Sequence, residues 1–327
     1  MNIGIKAIEY FLPQKILSNA DLVKTFPGWT EEKIYNKTGI VNRHIANDDE
    51  YVSDLAYNAA KKLFENHLIE PKDIDFVILF TQSPDYNVPT TACILQDRLE
   101  IPKTAGAFDI NLGCSAFIYG LAVAKSLINT NIAKNILLIT ADTYSKYINP
   151  MEKSVATIFG DGAAAALISY NETSQIKEFD LGTDGSGAEH LMVASSGTRA
   201  RRTEKNIQDD LHNSLYMNGP EIFNFTIDVV PKSIDNVLNK NNLALDDIDF
   251  FVFHQANSYM LNHLRKKCNI PEDKFYINMV DIGNTVSSTI PIALCQAEKE
   301  GRIKRGDTIL LVGFGVGLSW GSTIIVW

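Results

Sequence analysis

The chain has 327 residues, of which 45% are hydrophobic and 21% are charged, so it can bury a full core and is long enough for two domains or a duplicated one. Its net charge of −9 argues against general binding to nucleic acids or anionic membranes, which requires a basic face. No long uncharged apolar run is present, so we expect neither export nor a membrane span but a cytoplasmic protein. The four cysteines form no CxxC pair, which disfavours a zinc site or a disulfide framework.

The first half of the chain alternates predicted strands and helices. An apolar strand at Ile3–Tyr10 is followed by two short helices, the second of which covers Trp29–Lys37 and stops before Gly39. An amphipathic helix then covers Ser53–Leu68. The later predicted elements of this half are a strand at 74–80, a helix at 90–99 and strands at 107–111, 135–140 and 163–169. This alternation indicates a layered α/β fold.

A glycine turn carrying Cys114 follows the strand at 107–111 and leads into a helix that is apolar on every face. Such a helix is expected to be buried. At a helix N-terminus, free N–H groups and the helix dipole favour a thiolate and lower the thiol pKa, which makes Cys114 a candidate nucleophile. Free cysteines are also among the most buried residues, so this segment alone leaves a packed core thiol as an equal alternative.

The second half of the chain repeats the pattern of the first. Residues 73–80 are echoed by residues 247–253 at an offset of 174, and three further matches occur in order at offsets of 167 to 173. Two copies of one unit are the simplest explanation, and we expect halves at 1–172 and 173–327. The polar segment 182–212 fits neither copy and is predicted to be an exposed excursion.

Two further strand ends carry residues suited to chemistry. His254 directly follows a buried strand, and Asn284 lies in a glycine turn that corresponds, by the repeat, to the turn with Cys114. Alone, these would be read as a core or loop histidine and an ordinary turn residue. The glycine-rich segment Gly313–Gly321 has a backbone that can approach another group closely and donate its N–H groups to it. A nucleotide-binding loop is disfavoured there because no Lys-Ser/Thr follows. Together these features indicate acyl transfer through a thioester.

In this order, the motifs resemble those of β-ketoacyl-[acyl-carrier-protein] synthase III and its relatives, over the range Ile3 to Trp327. The segments that carry the resemblance are Asn111–Cys114, Phe159–Ala163, His254–Asn257, Gly283–Thr285 and Gly315–Gly321. The resemblance implies a thiolase-like α/β fold with two duplicated halves in five layers, α-β-α-β-α, and usually a homodimer. It implies an acyltransferase with an acyl-carrier protein as partner, and neither a metal nor a tightly bound cofactor.

The same resemblance implies a role for each matched residue. Cys114 would accept the acyl group, while the backbone N–H groups of Cys114 and Val316 hold the oxyanion. Family members commonly have glycine at the position of Val316, but a backbone N–H is sufficient there. His254 and Asn284 would hold the thioester carbonyl of malonyl-[acyl-carrier-protein], so that CO2 leaves and the enolate attacks the acyl-cysteine.

Residues at the substrate positions match the family less completely. The positions of the phosphopantetheine tunnel are occupied by Met217, Gly219, Phe223, Ala256 and Asn257. Lys37 and Lys153 stand at arginine-type positions of the nucleotide site, and Lys33 replaces a stacking tryptophan, with Trp29 one helical turn earlier. Because lysine replaces a stacking or forked arginine poorly, we expect acyl-carrier protein to be preferred over acyl-CoA as donor.

Two other sites bear on the substrate. Arg199, Arg201 and Arg202 are an alternative source of phosphate contacts, although a solvated basic loop explains them equally well. Val88 stands where, in the family, a residue reaches across the dimer to the neighbouring acyl site, and a bulky aromatic residue there shortens the site. Valine therefore predicts tolerance of acyl chains longer than acetyl.

Other functions were weighed against this assignment. A thiolase would carry a second reactive cysteine in the C-terminal glycine-rich segment, which has none. An enzyme that moves the acyl group from Cys114 to a hydroxyl or amine stays open, although we would expect it to lack the His–Asn pair. A papain-like hydrolase is disfavoured by the duplication, and a non-catalytic partner subunit by the intact residue set. The sequence leaves the acyl chain and the pathway open.

Overall fold

The computed structural model describes residues 2–198 and 214–327, and it contains two five-stranded sheets of the same topology. The first sheet has the spatial order β5 (Gly106–Ile110), β4 (Phe76–Phe80), β6 (Asn135–Asp142), β7 (Gly162–Asn171) and β1 (Asn2–Phe11). The second has the order β12 (Phe275–Tyr276), β11 (Phe250–Phe253), β13 (Thr308–Gly315), β14 (Ser319–Val326) and β8 (Gln175–Thr183). In each sheet the first three strands are parallel and the last two are antiparallel to their neighbours, as duplication predicts.

Two small two-stranded sheets and nine α-helices complete the part of the chain that the structure describes. These small sheets pair β2 (Lys15–Ser18) with β3 (Asn42–Ile45), and β9 (Leu191–Val193) with β10 (Leu215–Met217), each antiparallel. The helices are α1 (Asn19–Thr25), α2 (Glu31–Thr38), α3 (Val52–His67), α4 (Thr91–Arg98), α5 (Ala116–Asn129), α6 (Lys153–Ala156), α7 (Gly219–Lys240), α8 (Ser258–Lys267) and α9 (Thr289–Lys299).

The helices and sheets stack in five layers. Helices α5 and α9 lie between the two sheets, and their apolar side chains share one core with residues of both sheets. Helices α3 and α4 cover the outer face of the first sheet, while α7 and α8 cover the outer face of the second. The predicted α-β-α-β-α architecture and the burial of the helix after Cys114 are therefore confirmed. The predicted assignment of 1–172 and 173–327 as separate halves stays a prediction.

The predicted elements agree with the structure in place and type, with one exception. The segment 182–212 was expected to be exposed, but its beginning belongs to β8, and Leu191 is buried against the core of the second half. Apolar burial thus outweighs the polar composition of its neighbours. Positions 199–212 of that segment, with Arg199, Arg201 and Arg202, lie outside the described residues. Within the described ranges, no helix combines the length and the apolar character that crossing a membrane requires.

Candidate active site

Cys114, His254 and Asn284 line a single cavity of about 150 Å3. Their exposed fractions are 6%, 2% and 3%, so the three side chains are almost completely withdrawn from solvent. Cys114 follows β5, His254 follows β11, and Asn284 lies between β12 and α9. The two sheets therefore bring together residues that are up to 170 positions apart, at the carboxyl ends of parallel strands.

The turn that carries Cys114 packs against the glycine-rich end of β13. A Cβ added to Gly315 would lie 2.6 Å from Cys114 Cβ and 2.8 Å from Sγ, so only glycine allows this approach. The group that the glycine-rich backbone approaches is thus Cys114 itself. The hydroxyls of Ser115 and Ser319 lie 2.8 Å apart, and their hydrogen bond links this turn to β14. Helix α5 begins two residues after Cys114, at Ala116.

The expected depression of the Cys114 pKa is wrong for this structure. Burial, with a smaller contribution from the charge of Asp142, raises the pKa of the Cys114 thiol to about 12. The backbone N–H groups of Val316 and Cys114 act in the opposite direction, because they donate to the sulfur. Desolvation of a thiolate in this apolar cavity outweighs the helix N-terminus and the two N–H groups. Cys114 therefore rests as a neutral thiol with two hydrogen-bond donors directed at its sulfur.

His254 is a neutral imidazole held by one side chain. Its Nδ1 lies 2.7 Å from Thr289 Oγ1, and its ring meets the Phe314 ring edge to face with centroids 5.5 Å apart. Burial lowers the pKa of His254 to about 3. The Thr289 hydroxyl has one proton and lies within reach of both Nδ1 and the Val286 carbonyl, which is 3.2 Å away. In the state in which this proton is donated to Nδ1, the imidazole carries its own proton on Nε2. His254 can then act as a neutral hydrogen-bond donor.

Asn284 is fixed by contacts on both sides of its backbone. Its N–H donates to the Ile158 carbonyl at 3.0 Å, and its carbonyl accepts from the Gly160 N–H at 2.9 Å. Its side-chain Oδ1 accepts the Val286 N–H at 2.9 Å, while Nδ2 donates to the Ala256 carbonyl at 3.4 Å. These contacts fix the orientation of the carboxamide and leave the second N–H of Nδ2 for a substrate.

A buried acid that sequence reasoning missed lies beneath this cavity. Asp142 ends β6, and its Oδ1 accepts the Gln82 N–H at 2.8 Å. Its Oδ2 accepts the Ser287 hydroxyl at 2.5 Å and the Ser287 N–H at 3.3 Å, which ties the end of β6 to the segment just after Asn284. Burial raises the pKa of Asp142 to about 7. The available signal was an acidic residue at the end of an apolar strand, the same kind of position as His254.

The predicted carrier-arm residues lie along two adjoining cavities. Met217, Gly219, Ala256 and Asn257 line the cavity that holds Cys114, which we call the inner cavity. Gly219 and Asn257 also line an outer cavity of about 510 Å3, together with Phe223, Lys37 and Tyr259. The shared residues show that the two spaces adjoin.

The remaining predicted substrate residues lie elsewhere. Lys153 lines neither the inner nor the outer cavity, and its Nζ lies 5.8 Å from the centroid of the Trp29 ring. The Nζ atoms of Lys33 and Lys37 lie 5.0 and 6.0 Å from the same centroid. Val88 is 84% exposed. Val316 lines a third cavity, of about 290 Å3, together with Leu191, which also borders the inner cavity.

Comparisons with known proteins agree on one family. The family model described as 3-oxoacyl-[acyl-carrier-protein (ACP)] synthase III matches residues 108–185, and the model of its C-terminal part matches residues 238–327. A β-ketoacyl-[acyl-carrier-protein] synthase III of Caldanaerobacter subterraneus is 40% identical, covering 99% of this chain and 97% of its own. A 3-oxoacyl-(acyl-carrier-protein) synthase III crystal structure is 44% identical with a TM-score of 0.97 and full coverage of both chains. The Thermus thermophilus enzyme is 35% identical with a TM-score of 0.89, covering 99% of each chain.

Proposed function

The chain belongs to the β-ketoacyl-[acyl-carrier-protein] synthase III family, and from this premise we propose how its site carries out the reaction. The protein is a condensing enzyme that joins an acyl group, delivered as a thioester, to malonyl-[acyl-carrier-protein] by decarboxylative Claisen condensation in fatty-acid synthesis. The observation that carries the assignment of residues is that Cys114, His254 and Asn284 line one buried cavity. In this proposal the enzyme is an acyltransferase, and Cys114 carries the acyl group between two half-reactions.

In the first half-reaction, Cys114 Sγ attacks the carbonyl of the donor thioester. The backbone N–H groups of Cys114 and Val316, which already face Sγ, donate to the oxyanion that forms. The bond between the carbonyl carbon and the carrier sulfur then breaks. The carrier leaves as a free thiol with the proton that Cys114 gives up, and the acyl group remains on Cys114.

In the second half-reaction, neutral His254 and Asn284 donate to the thioester carbonyl of malonyl-[acyl-carrier-protein]. The carboxylate leaves as CO2, and its bonding electron pair forms an enolate that these two donors stabilise. The enolate carbon attacks the acyl carbonyl, a C–C bond forms, and the bond to Sγ breaks. Cys114 leaves as a thiolate and takes a proton from solvent. A low pKa for His254 suits this role, because an imidazole that stays neutral can donate without titrating.

We propose that the phosphopantetheine arm runs from the outer to the inner cavity, along Met217, Gly219, Phe223, Ala256 and Asn257. Four of these residues border the inner cavity, and Phe223 borders the outer one. Lys37 and Lys153 then supply positive charge for phosphate groups near the entrance. Because three ammonium groups cluster at Trp29 instead of forked guanidinium groups, we propose an acyl-carrier protein as the preferred donor over acyl-CoA.

The quaternary and cellular context also follows from the family resemblance. We propose that two chains associate into a homodimer that works in the cytoplasm. In such a dimer the exposed Val88 side chain borders the neighbouring acyl site, and its modest size admits chains longer than acetyl. A donor series in which only acetyl loads Cys114 would contradict this assignment of Val88.

The test of the proposal is intact-protein mass spectrometry after incubation with acyl thioesters, followed by malonyl-[acyl-carrier-protein]. We expect one acyl mass on the wild-type chain, its discharge as a β-ketoacyl product, and no acyl mass on Cys114→Ala. Condensation by that variant should fall at least about 1,000-fold, because no other group can hold the acyl intermediate. The matched control is Cys93→Ala, which removes an exposed thiol and should load normally. Stoichiometric loading of Cys114→Ala would overturn the assignment.

A further inference from the structure

The third cavity, which we call the side chamber, has no role in the half-reactions described above. It is lined by Gln82, Pro84, Asn87, Asn111, Tyr144, Tyr147, Leu191, Met192, Val193, Ser196, Gly197, Leu215 and Val316. It adjoins the inner cavity at Leu191 and includes Val316, whose N–H faces Cys114 Sγ. Among the described lining residues, the side chamber and the outer cavity have none in common. The inner cavity therefore lies between the entrance and the side chamber.

The side-chain carboxamide of Gln82 lies beside the turn that carries the nucleophile. A Cβ added to Gly113, the residue before Cys114, would collide with Gln82 Oε1. That oxygen accepts the Tyr144 hydroxyl at 3.0 Å, and the Gln82 backbone N–H donates to Asp142 at 2.8 Å. Tyr144 is itself only 4% exposed, and its ring packs against Phe159, with centroids 5.2 Å apart. The Gln82 carboxamide is consequently fixed with its oxygen toward Tyr144.

This orientation leaves the nitrogen of the carboxamide without a partner. Gln82 Nε2 carries two N–H donors, and in the described part of the chain neither meets an acceptor. Gln82 is half-buried and lines the side chamber, so its free donors are available to a molecule in that space. An alkyl chain placed there would remove these N–H groups from water without replacing the lost hydrogen bonds. An oxygen atom on the chain would satisfy them.

For an acyl group that extends from Cys114 past Leu191 into the side chamber, we propose that Gln82 makes the enzyme select acyl groups bearing a hydroxyl or keto oxygen. The inference rests on the proposed function and names the substrate class of the same site. Gln82 is then a specificity-determining residue whose Nε2 donates to the oxygen of the acyl chain. The backbone N–H of Val316 donates to the oxyanion, and Val316 also borders the side chamber. The same residue therefore lies against both the acyl chain and the reacting group at Cys114.

The test measures competitive loading of Cys114 from an equimolar pair of pantetheine thioesters, butyryl and 3-hydroxybutyryl, read by intact-protein mass spectrometry. For the wild-type enzyme we expect 3-hydroxybutyryl to load about tenfold faster, because a site with fixed donors disfavours the analogue that lacks the oxygen. Gln82→Leu should bring the ratio to one or reverse it. Gln14→Leu, the same chemical change at an exposed position outside the three cavities, should keep the wild-type ratio.

The outcomes separate this inference from the proposed function. Equal or faster loading of butyryl by the wild-type enzyme overturns the inference, and so does a Gln82→Leu variant that keeps the wild-type ratio. Neither outcome touches the condensation, which is measured by adding malonyl-[acyl-carrier-protein] to the loaded enzyme. Should Gln82→Leu fail to fold, the wild-type ratio still decides. If no thioester loads Cys114, the proposed function fails and the inference fails with it.

Discussion

The inner and outer cavities of this site differ in how firmly their residues are held. In the inner cavity, Cys114, His254 and Asn284 are at most 6% exposed, and His254 and Asn284 are held by residues far away in the chain, Thr289 and the backbone at Ile158 and Gly160. In the outer cavity, Tyr259 is 63% exposed, and Lys37 contacts the Trp29 ring only at a distance of 6.0 Å. Buried groups with fixed partners lower a reaction barrier because they need no reorganisation, whereas exposed groups adjust which carrier is bound. From this difference we expect the chemistry to take place in the inner cavity and carrier choice to be made at the outer one.

The most severe test of this comparison removes the two side-chain donors of the inner cavity, His254 and Asn284. We expect His254→Ala and Asn284→Ala to load an acyl group normally, but to lose about 100- to 1,000-fold in condensation, because each removes a donor that acts on the enolate. Loading is followed by intact mass and condensation by single-turnover release of CO2. Wild-type condensation by both variants would show that His254 and Asn284 do not act on the enolate.

Burial of the nucleophile predicts a particular pH dependence. With the pKa of Cys114 raised to about 12, the thiolate fraction should rise about tenfold per pH unit, or about a hundredfold between pH 7 and pH 9. We expect alkylation of Cys114 by iodoacetamide, quantified on the Cys114 peptide, to increase without a plateau over this range. A short unstructured peptide with one cysteine, measured in parallel, should begin to level off near the ordinary cysteine pKa of about 8.5. A plateau for Cys114 below pH 8 would mean that the helix N-terminus outweighs burial.

The hydroxyl behind His254 provides a smaller test of the inner cavity. Thr289→Val keeps the side-chain shape but removes the hydroxyl that lies 2.7 Å from Nδ1, so no side chain remains there that can direct the imidazole proton to Nε2. We expect condensation to fall about tenfold with acyl loading unchanged, since one positioning contact is lost. Thr289→Ser keeps the hydroxyl and should restore most of the rate. Equal rates for the valine and serine variants would show that this hydroxyl has no part in positioning His254.

The outer cavity should show the smallest effects. We expect acyl-carrier protein to exceed matched acyl-CoA in kcat/KM for loading, and Lys37→Ala to lower loading only two- to fivefold, as is usual for an exposed charge. That loss should shrink further at high salt, because exposed charges are screened. Lys61→Ala on α3, whose ion pair with Glu65 is also exposed, is the charge-matched control and should have no effect. A clearly higher kcat/KM for acyl-CoA would contradict the predicted donor.

Much of the fold and the central residues of the candidate site were predictable, and the reason is periodicity. Alternating apolar segments predicted the strands and helices, and their repetition showed that the turn with Cys114 corresponds to the turn with Asn284. Cys114 stood out by its place in a glycine turn before an apolar helix, and His254 by its place directly after a buried strand. Leu191 escaped because its neighbours are polar, and Asp142 because the predicted strand stopped at residue 140, before its carboxylate.

The sequence by itself determined the layered duplicated fold, the family and the strand ends at which chemistry is placed. It did so because local hydrophobic patterns and short motifs need no knowledge of distant contacts. Only the tertiary structure decided which partners these residues have: Thr289 behind His254, Ser287 beside Asp142, and Tyr144 beside Gln82, at separations of 35, 145 and 62 residues. It also reversed the expected pKa of Cys114. A pKa depends on how completely water is excluded from a side chain, and that exclusion exists only once the two sheets and the helices between them have packed together.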